Sequence, residues 1–186
     1  MRKPSVQKLV LTAMFFAIGL MLPFLTGQIP QIGRMLLPLH LPVFLCSLIV
    51  GWPYGLAIGF LLPLVRSLLF IMPALYPTAV EMAFELAAYG FFAGFIYNRL
   101  LALKVGKVVS LFTALIAAMV FGRIVFLIVR VVLCVLSGSA FDFGVFLADA
   151  VVNALPGIIM QIVLVPTMML SLEKSRINTE PTQRNY

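Results

Sequence analysis

Charge is what this chain is shortest of. Only 10% of its 186 residues are Asp, Glu, Lys or Arg, against 63% that are hydrophobic, whereas a soluble domain carries about 25% charged and about 45–50% apolar residues. So little charge cannot coat a water-soluble surface at this length, which excludes a soluble globular domain. Cysteine is nearly absent as well. Cys46 and Cys134 both sit in apolar runs, cannot build a disulfide framework, and lack the CxxC or Cys/His neighbours of a metal site; they read as small apolar filler. There is a single histidine, His40, and there is no HExxH, no GxSxG and no glycine-rich phosphate loop. An enzyme is therefore not expected, and neither is a cofactor, a metal or an ATP site.

What the chain does have is apolar runs. A membrane helix needs about 20 apolar residues, so the length accommodates roughly six spans and almost nothing else. Arg2, Lys3 and Lys8 precede a first run from about Leu9 to Leu25; it is long for a signal peptide and lacks a clean small-x-small cleavage site, so it reads as an uncleaved helix. From Thr26 to His40, Gly27, Pro30, Gly33 and Pro38 break the helix, giving an apolar loop expected to dip back against the bundle. A short second run, about His40 to Val50, ends at Gly51-Trp52-Pro53-Tyr54-Gly55, breakers and aromatics that suit a membrane–water boundary. Further spans are expected over about Tyr54 to Met72, Thr78 to Tyr97, Val108 to Leu136, and Phe143 to Leu172, the last bent or broken near Pro156-Gly157 and again at Pro166. Residues 1–172 thus form an all-α, six-helix transmembrane domain, and residues 173–186 a polar tail, disordered beyond Arg176.

Orientation follows from the charges. With the N-terminus in the cytoplasm, the cytoplasmic segments hold Arg2, Lys3, Lys8, Arg99, Lys104, Lys107, Lys174, Arg176 and Arg184 against Glu173 and Glu180. That surplus of seven equals the formal charge of +7. Short loops rich in Lys and Arg stay inside, so both termini are expected in the cytoplasm. The basic character is a topology signal and not a nucleic-acid footprint.

Six charges fall at membrane depth: Arg66, Glu81, Glu85, Arg123, Arg130 and Asp149. Each costs about 2.5–3.5 kcal/mol on insertion scales. Glu81 and Glu85 lie one turn apart on one helix face, Arg130 lies one heptad beyond Arg123, and Asp149 begins a drifting stripe with Asn153, Gly157 and Gln161. All six gather in the outer half of the bundle. A channel needs polar groups through its full depth; a hydrated cup needs them on one side only. The same charges also suit internal salt bridges that pin the helices, since they cancel. His40 reads equally as a ligand contact or an interfacial residue, Arg34 as a solvated loop charge or a gate, and Tyr76 as an interfacial anchor or a pocket wall.

Ala13 and Ala17 form a small-xxx-small face that lets another helix approach closely, and Gly55/Gly59 and Gly90/Gly94 repeat the pattern. Six short-looped helices, AxxxA on the first, a long first loop, polarity on one side, and the stretch from Leu36-Leu37-Pro38-Leu39-His40-Leu41-Pro42-Val43 to Pro63-Leu64-Val65-Arg66-Ser67 together resemble the substrate-binding S component of an energy-coupling factor (ECF) transporter. The resemblance reaches to about Leu172. It implies a plasma-membrane protein that captures a vitamin outside the cell and associates with a transmembrane coupling subunit and two cytoplasmic ATPases. It places Ala13 and Ala17 against the coupling subunit, and a pocket around Arg34 to His40, Glu81, Glu85, Arg123, Arg130 and Asn153. With Arg66 and Tyr76 added from the residues themselves, the expected ligand is a small molecule bearing a carboxylate and hydroxyl or amide groups, of which pantothenate is an example. A non-transporting structural protein of the cell envelope and an intramembrane enzyme are the rival classes.

Overall fold

In lipid, backbone N–H and C=O groups must pair within the segment, so apolar runs become helices. The computed structural model describes residues 6–25 and 37–179, and among these every regular element is helical. They are α1 (Val6–Leu25), α2 (His40–Ile49), α3 (Trp52–Phe70), α4 (Val80–Ala102), α5 (Lys107–Ser137), the short α6 (Phe143–Leu147) and α7 (Leu155–Thr179). Five segments are long and apolar enough to cross a membrane: Val6–Phe24, Trp52–Phe70, Leu75–Ala102, Lys107–Ser137 and Phe143–Leu172. The second expected span is not among them. Its 10 residues rise about 15 Å, half of a hydrocarbon core of about 30 Å. It is instead one of the most enclosed elements, with His40, Pro42 and every residue from Val43 to Leu48 buried.

The breaks have local causes. Gly51 joins α2 to α3 at φ 130°, a conformation closed to residues with a Cβ. α3 ends where Ile71 turns left-handed and donates to the Ser67 carbonyl, just before Pro73. α5 stops at Gly138, φ 66°, a left-handed glycine cap. The Asp142 carboxylate opens α6, accepting from the N–H groups of Gly144 at 2.7 Å and Val145 at 3.0 Å. α4 extends to Ala102, beyond the end expected near Tyr97, because Asn98 to Ala102 contains no breaker. The last segment breaks once. A wide turn at Ala148–Val152 passes through Asn153 and Ala154 into α7, so the break falls just ahead of Pro156. Pro166 lies inside α7 without interrupting it, as membrane helices tolerate. α7 continues past Leu172 to Thr179.

α4 is the central post, with 56% of its span window buried against 11% for α5 and 17% for α1. It packs on α3 and α2 by backbone approach. A methyl group at Gly90 would strike the Gly55 carbonyl, and one at Gly59 the Leu86 carbonyl. The Ser47 hydroxyl of α2 donates to the Gly90 carbonyl. On the other side of α4, the Tyr89 ring fills the notch left by Gly122 of α5. The Gly55/Gly59 and Gly90/Gly94 faces are thus internal. Ala13 and Ala17 differ, standing exposed on α1.

Candidate functional site

At the end of the bundle away from the Gly90 contact, the helices part around a partly open cavity of about 450 Å³, within the range of small-ligand sites (about 300–1,000 Å³). Its wall is mostly apolar surface, including Pro23, Leu39, Met72, Met82 and Phe126, into which eight polar or charged residues are set: His40, Arg66, Thr78, Glu81, Glu85, Arg123, Arg130 and Asp149. All six charges singled out at membrane depth line it.

The i,i+4 spacing on α4 turns Glu81 and Glu85 to the same side, where each meets an arginine of α5. Arg123 Nη1 lies 2.7 Å from Glu85 Oε1, which also accepts the Tyr89 hydroxyl at 2.8 Å. One heptad on, Arg130 bridges two carboxylates, with Nε 3.2 Å from Glu81 Oε1 and Nη1 3.3 Å from Asp149 Oδ2. Helix pinning and cavity lining, the two readings weighed for these charges, are properties of the same side chains. The pairing leaves polar atoms over: the Arg123 Nη2 donor and the two ring nitrogens of His40, one a donor and the other an acceptor in a neutral imidazole, are buried with no hydrogen-bond partner among the described residues. The His40 ring leans on Tyr89 at 5.1 Å, at the start of α2, and forms part of the cavity wall. Arg66 reaches from α3 toward α1 instead, donating to the Leu20 carbonyl at 2.6 Å.

Two expected site residues, Tyr76 and Asn153, are placed otherwise. Arg34 lies outside the described residues. Tyr76 is exposed, absent from the cavity wall, and donates to the Leu133 carbonyl at 3.4 Å; the extended backbone at Tyr76 (φ −121°, ψ 135°) carries its side chain away from α4. Asn153 is also exposed and reaches the site only through Asp149, donating to Oδ1 at 3.2 Å. Sequence reasoning missed Thr78, Met82 and Phe126 of the cavity wall, and Tyr89, which stands behind it as a partner of Glu85. Tyr89 was accessible to it, four residues after Glu85 on the same face. Gln161, on the stripe begun by Asp149 but not counted among the site residues, does not line the cavity: fully buried, it donates to the Leu37 carbonyl at 3.1 Å and ties α7 to the segment entering α2, while its Oε1 has no partner among the described residues.

A cavity at one end of a membrane bundle, lined by costly charges with spare donors, suits capture of a small polar solute. The family described as ECF transporter, substrate-specific component, matches residues 7–169, nearly the whole described bundle. The chain belongs to this family. It is therefore a multi-pass membrane protein of the substrate-binding, non-catalytic class, the one that serves ECF transporters whose ATPase activity lies in partner subunits. No curated protein and no solved structure matches the chain.

Proposed function

We propose that this S component is the high-affinity capture subunit of an ECF-type vitamin uptake transporter in the plasma membrane, and that the charged cavity is its substrate site. The observation that carries the reading is the set of buried polar atoms left without partners among the described residues, the Arg123 Nη2 donor and the His40 ring nitrogens, on a wall whose acids are otherwise paired. Buried polar groups cost free energy unless a partner meets them, and a ligand bearing carboxylate, hydroxyl or amide oxygens supplies one. The apolar part of the wall suits a short aliphatic body. Pantothenate combines these features and is the first candidate.

Exposed Lys8, Arg99, Lys104 and Lys107 lie at the packed end of the bundle, so the positive-inside rule puts that end in the cytoplasm and opens the cavity outward. In this topology both termini are cytoplasmic, α2 supplies the inner half of the second of six spans, and the membrane domain ends near Leu172 with a short polar tail. The exposed Ala13–Ala17 face is the contact for the transmembrane coupling subunit, which carries two ATPases. The purely structural alternative, a non-transporting envelope protein, accounts for the ion pairs but leaves the cavity and its unpaired donors without a purpose.

A thermal-shift screen of the purified protein against a vitamin panel including pantothenate tests the proposal. A ligand at a thousand times its Kd stabilises the folded state by about 4 kcal/mol, so one clear hit is expected. A blank panel with well-folded protein favours the structural alternative.

A further inference from the structure

Arg66 differs from the other two cavity arginines. Among the described residues it forms no ion pair. Its Nη1 donates to the Leu20 carbonyl at 2.6 Å, and its guanidinium packs beside both Phe24 and Phe70, 5.2 Å and 5.3 Å from the ring centroids. The two rings also meet each other edge to face at 4.9 Å. Leu20 and Phe24 belong to α1, Phe70 to α3. The rest of α1 is lightly held: from Val6 to Phe24 only Phe15, Gly19 and Pro23 are buried. Its last turn is weakened further, because Pro23 has no N–H to give the Gly19 carbonyl. Arg66 and Pro23 both line the cavity, so a single side chain is at once cavity wall and tie on the end of α1.

The charge balance says what would move it. Glu81, Glu85 and Asp149 are met by two arginines, Arg123 and Arg130, leaving that cluster with one negative charge in excess. Arg66, on a different helix, is the cavity arginine not committed to a carboxylate. An anionic group entering the cavity is repelled by the acid-rich cluster and drawn to Arg66. The bond from Arg66 to the Leu20 carbonyl has one ionised partner, whereas a bond to a carboxylate joins two opposite charges and adds their direct attraction, so a carboxylate outcompetes the neutral Leu20 carbonyl. We propose that Arg66 is an anion-responsive latch: it fastens the cavity end of α1 while the cavity is empty, and exchanges the Leu20 carbonyl for the ligand's anionic group, freeing that end of the helix. The exchange gives the ligand its polarity, anionic group toward α3 and neutral hydroxyl or amide groups, whose oxygens can accept from Arg123 Nη2, toward α4 and α5.

The latch rests on the cavity being the ligand site, but its test does not need the vitamin. A nitroxide is placed at exposed Met21 after Cys134 is replaced, while Cys46, fully buried, stays. Electron paramagnetic resonance spectra are compared for this labelled protein, for its Arg66→Gln form, and for both in sodium propionate against equal sodium chloride. Arg66→Gln should lose the immobilised component. Propionate should shift the parent protein toward the Arg66→Gln spectrum and leave Arg66→Gln unchanged. Phe70→Leu, which keeps the charge and removes one ring, should give an intermediate spectrum, so a folding failure of Arg66→Gln does not end the test. Identical spectra for the parent and both variants overturn the latch; a parent indifferent to propionate overturns its response to anions. A blank vitamin panel with a propionate-responsive α1 would remove the vitamin reading alone, and a vitamin hit with a silent α1 would remove the latch alone.

Discussion

The two ends of α3, α4 and α5 are held together by opposite means. At the packed end the helices touch through backbone: Gly90 against the Gly55 carbonyl, Gly59 against Leu86, and the Ser47 hydroxyl on the Gly90 carbonyl. At the other end α4 meets α5 and the Ala148–Val152 turn through long charged side chains tip to tip, Arg123 with Glu85 and Arg130 with Glu81 and Asp149, while α3 contributes Arg66, outside those pairs. Small residues close a bundle, and ion pairs hold it open at a fixed width. A membrane protein can therefore keep a hydrated cavity at one end without losing its fold, provided the other end is dry and tight.

The most damaging way to break this comparison is to put bulk at the packed end. Gly90→Leu sets a side chain against backbone that cannot yield. Overpacking costs typically about 1–3 kcal/mol and more where nothing can shift, so no monodisperse protein should survive gel filtration in detergent. The same pattern on α1 should behave differently, because Ala13 and Ala17 are exposed. Ala13→Trp with Ala17→Trp should leave folding and substrate binding intact and abolish uptake in cells carrying the coupling module; normal uptake would remove that face as the partner contact. At the cavity end, Glu85→Ala strips Arg123 and Tyr89 of their shared acceptor. Removing one partner of a buried pair costs about 3–5 kcal/mol, which thermal unfolding should register, with Glu85→Gln milder because an amide oxygen still accepts. The smallest effect is expected at Asn153, exposed and bonded only to Asp149: Asn153→Ala should change stability by under about 0.5 kcal/mol and leave ligand affinity unchanged.

The charged cavity was legible in the sequence because charge in an apolar run is expensive and stands out. Glu81 and Glu85 share a face by their spacing, and Arg123 and Arg130 follow by theirs. What could not be read was how these groups pair, since that depends on the rotation of α4 against α5, fixed by the Tyr89 ring seated in the Gly122 notch. Apolar wall residues such as Met82 and Phe126 carry no contrast with lipid-facing neighbours such as Phe84 or Ile128. Asn153 shows the limit of extrapolating a stripe: its amide stays beside Asp149 yet is exposed, while Gly157 and Gln161 further along the same stripe are buried. The short α2 was visible as a short run, but its burial was not, because a residue facing protein and one facing lipid are equally apolar.

The most direct test of the account is equilibrium binding of the vitamin panel, pantothenate first, to the wild-type protein and to Arg123→Ala side by side. Arg123 supplies the unpaired Nη2 in the cavity, and a hydrogen bond to a charged group is worth about 1.5–3 kcal/mol. The account predicts one ligand bound by the wild type and a loss of affinity of roughly 10- to 100-fold in the variant, read only where both proteins remain folded. Equal affinity in both, or no ligand for either, would contradict the claim that this cavity is where the transported solute is captured.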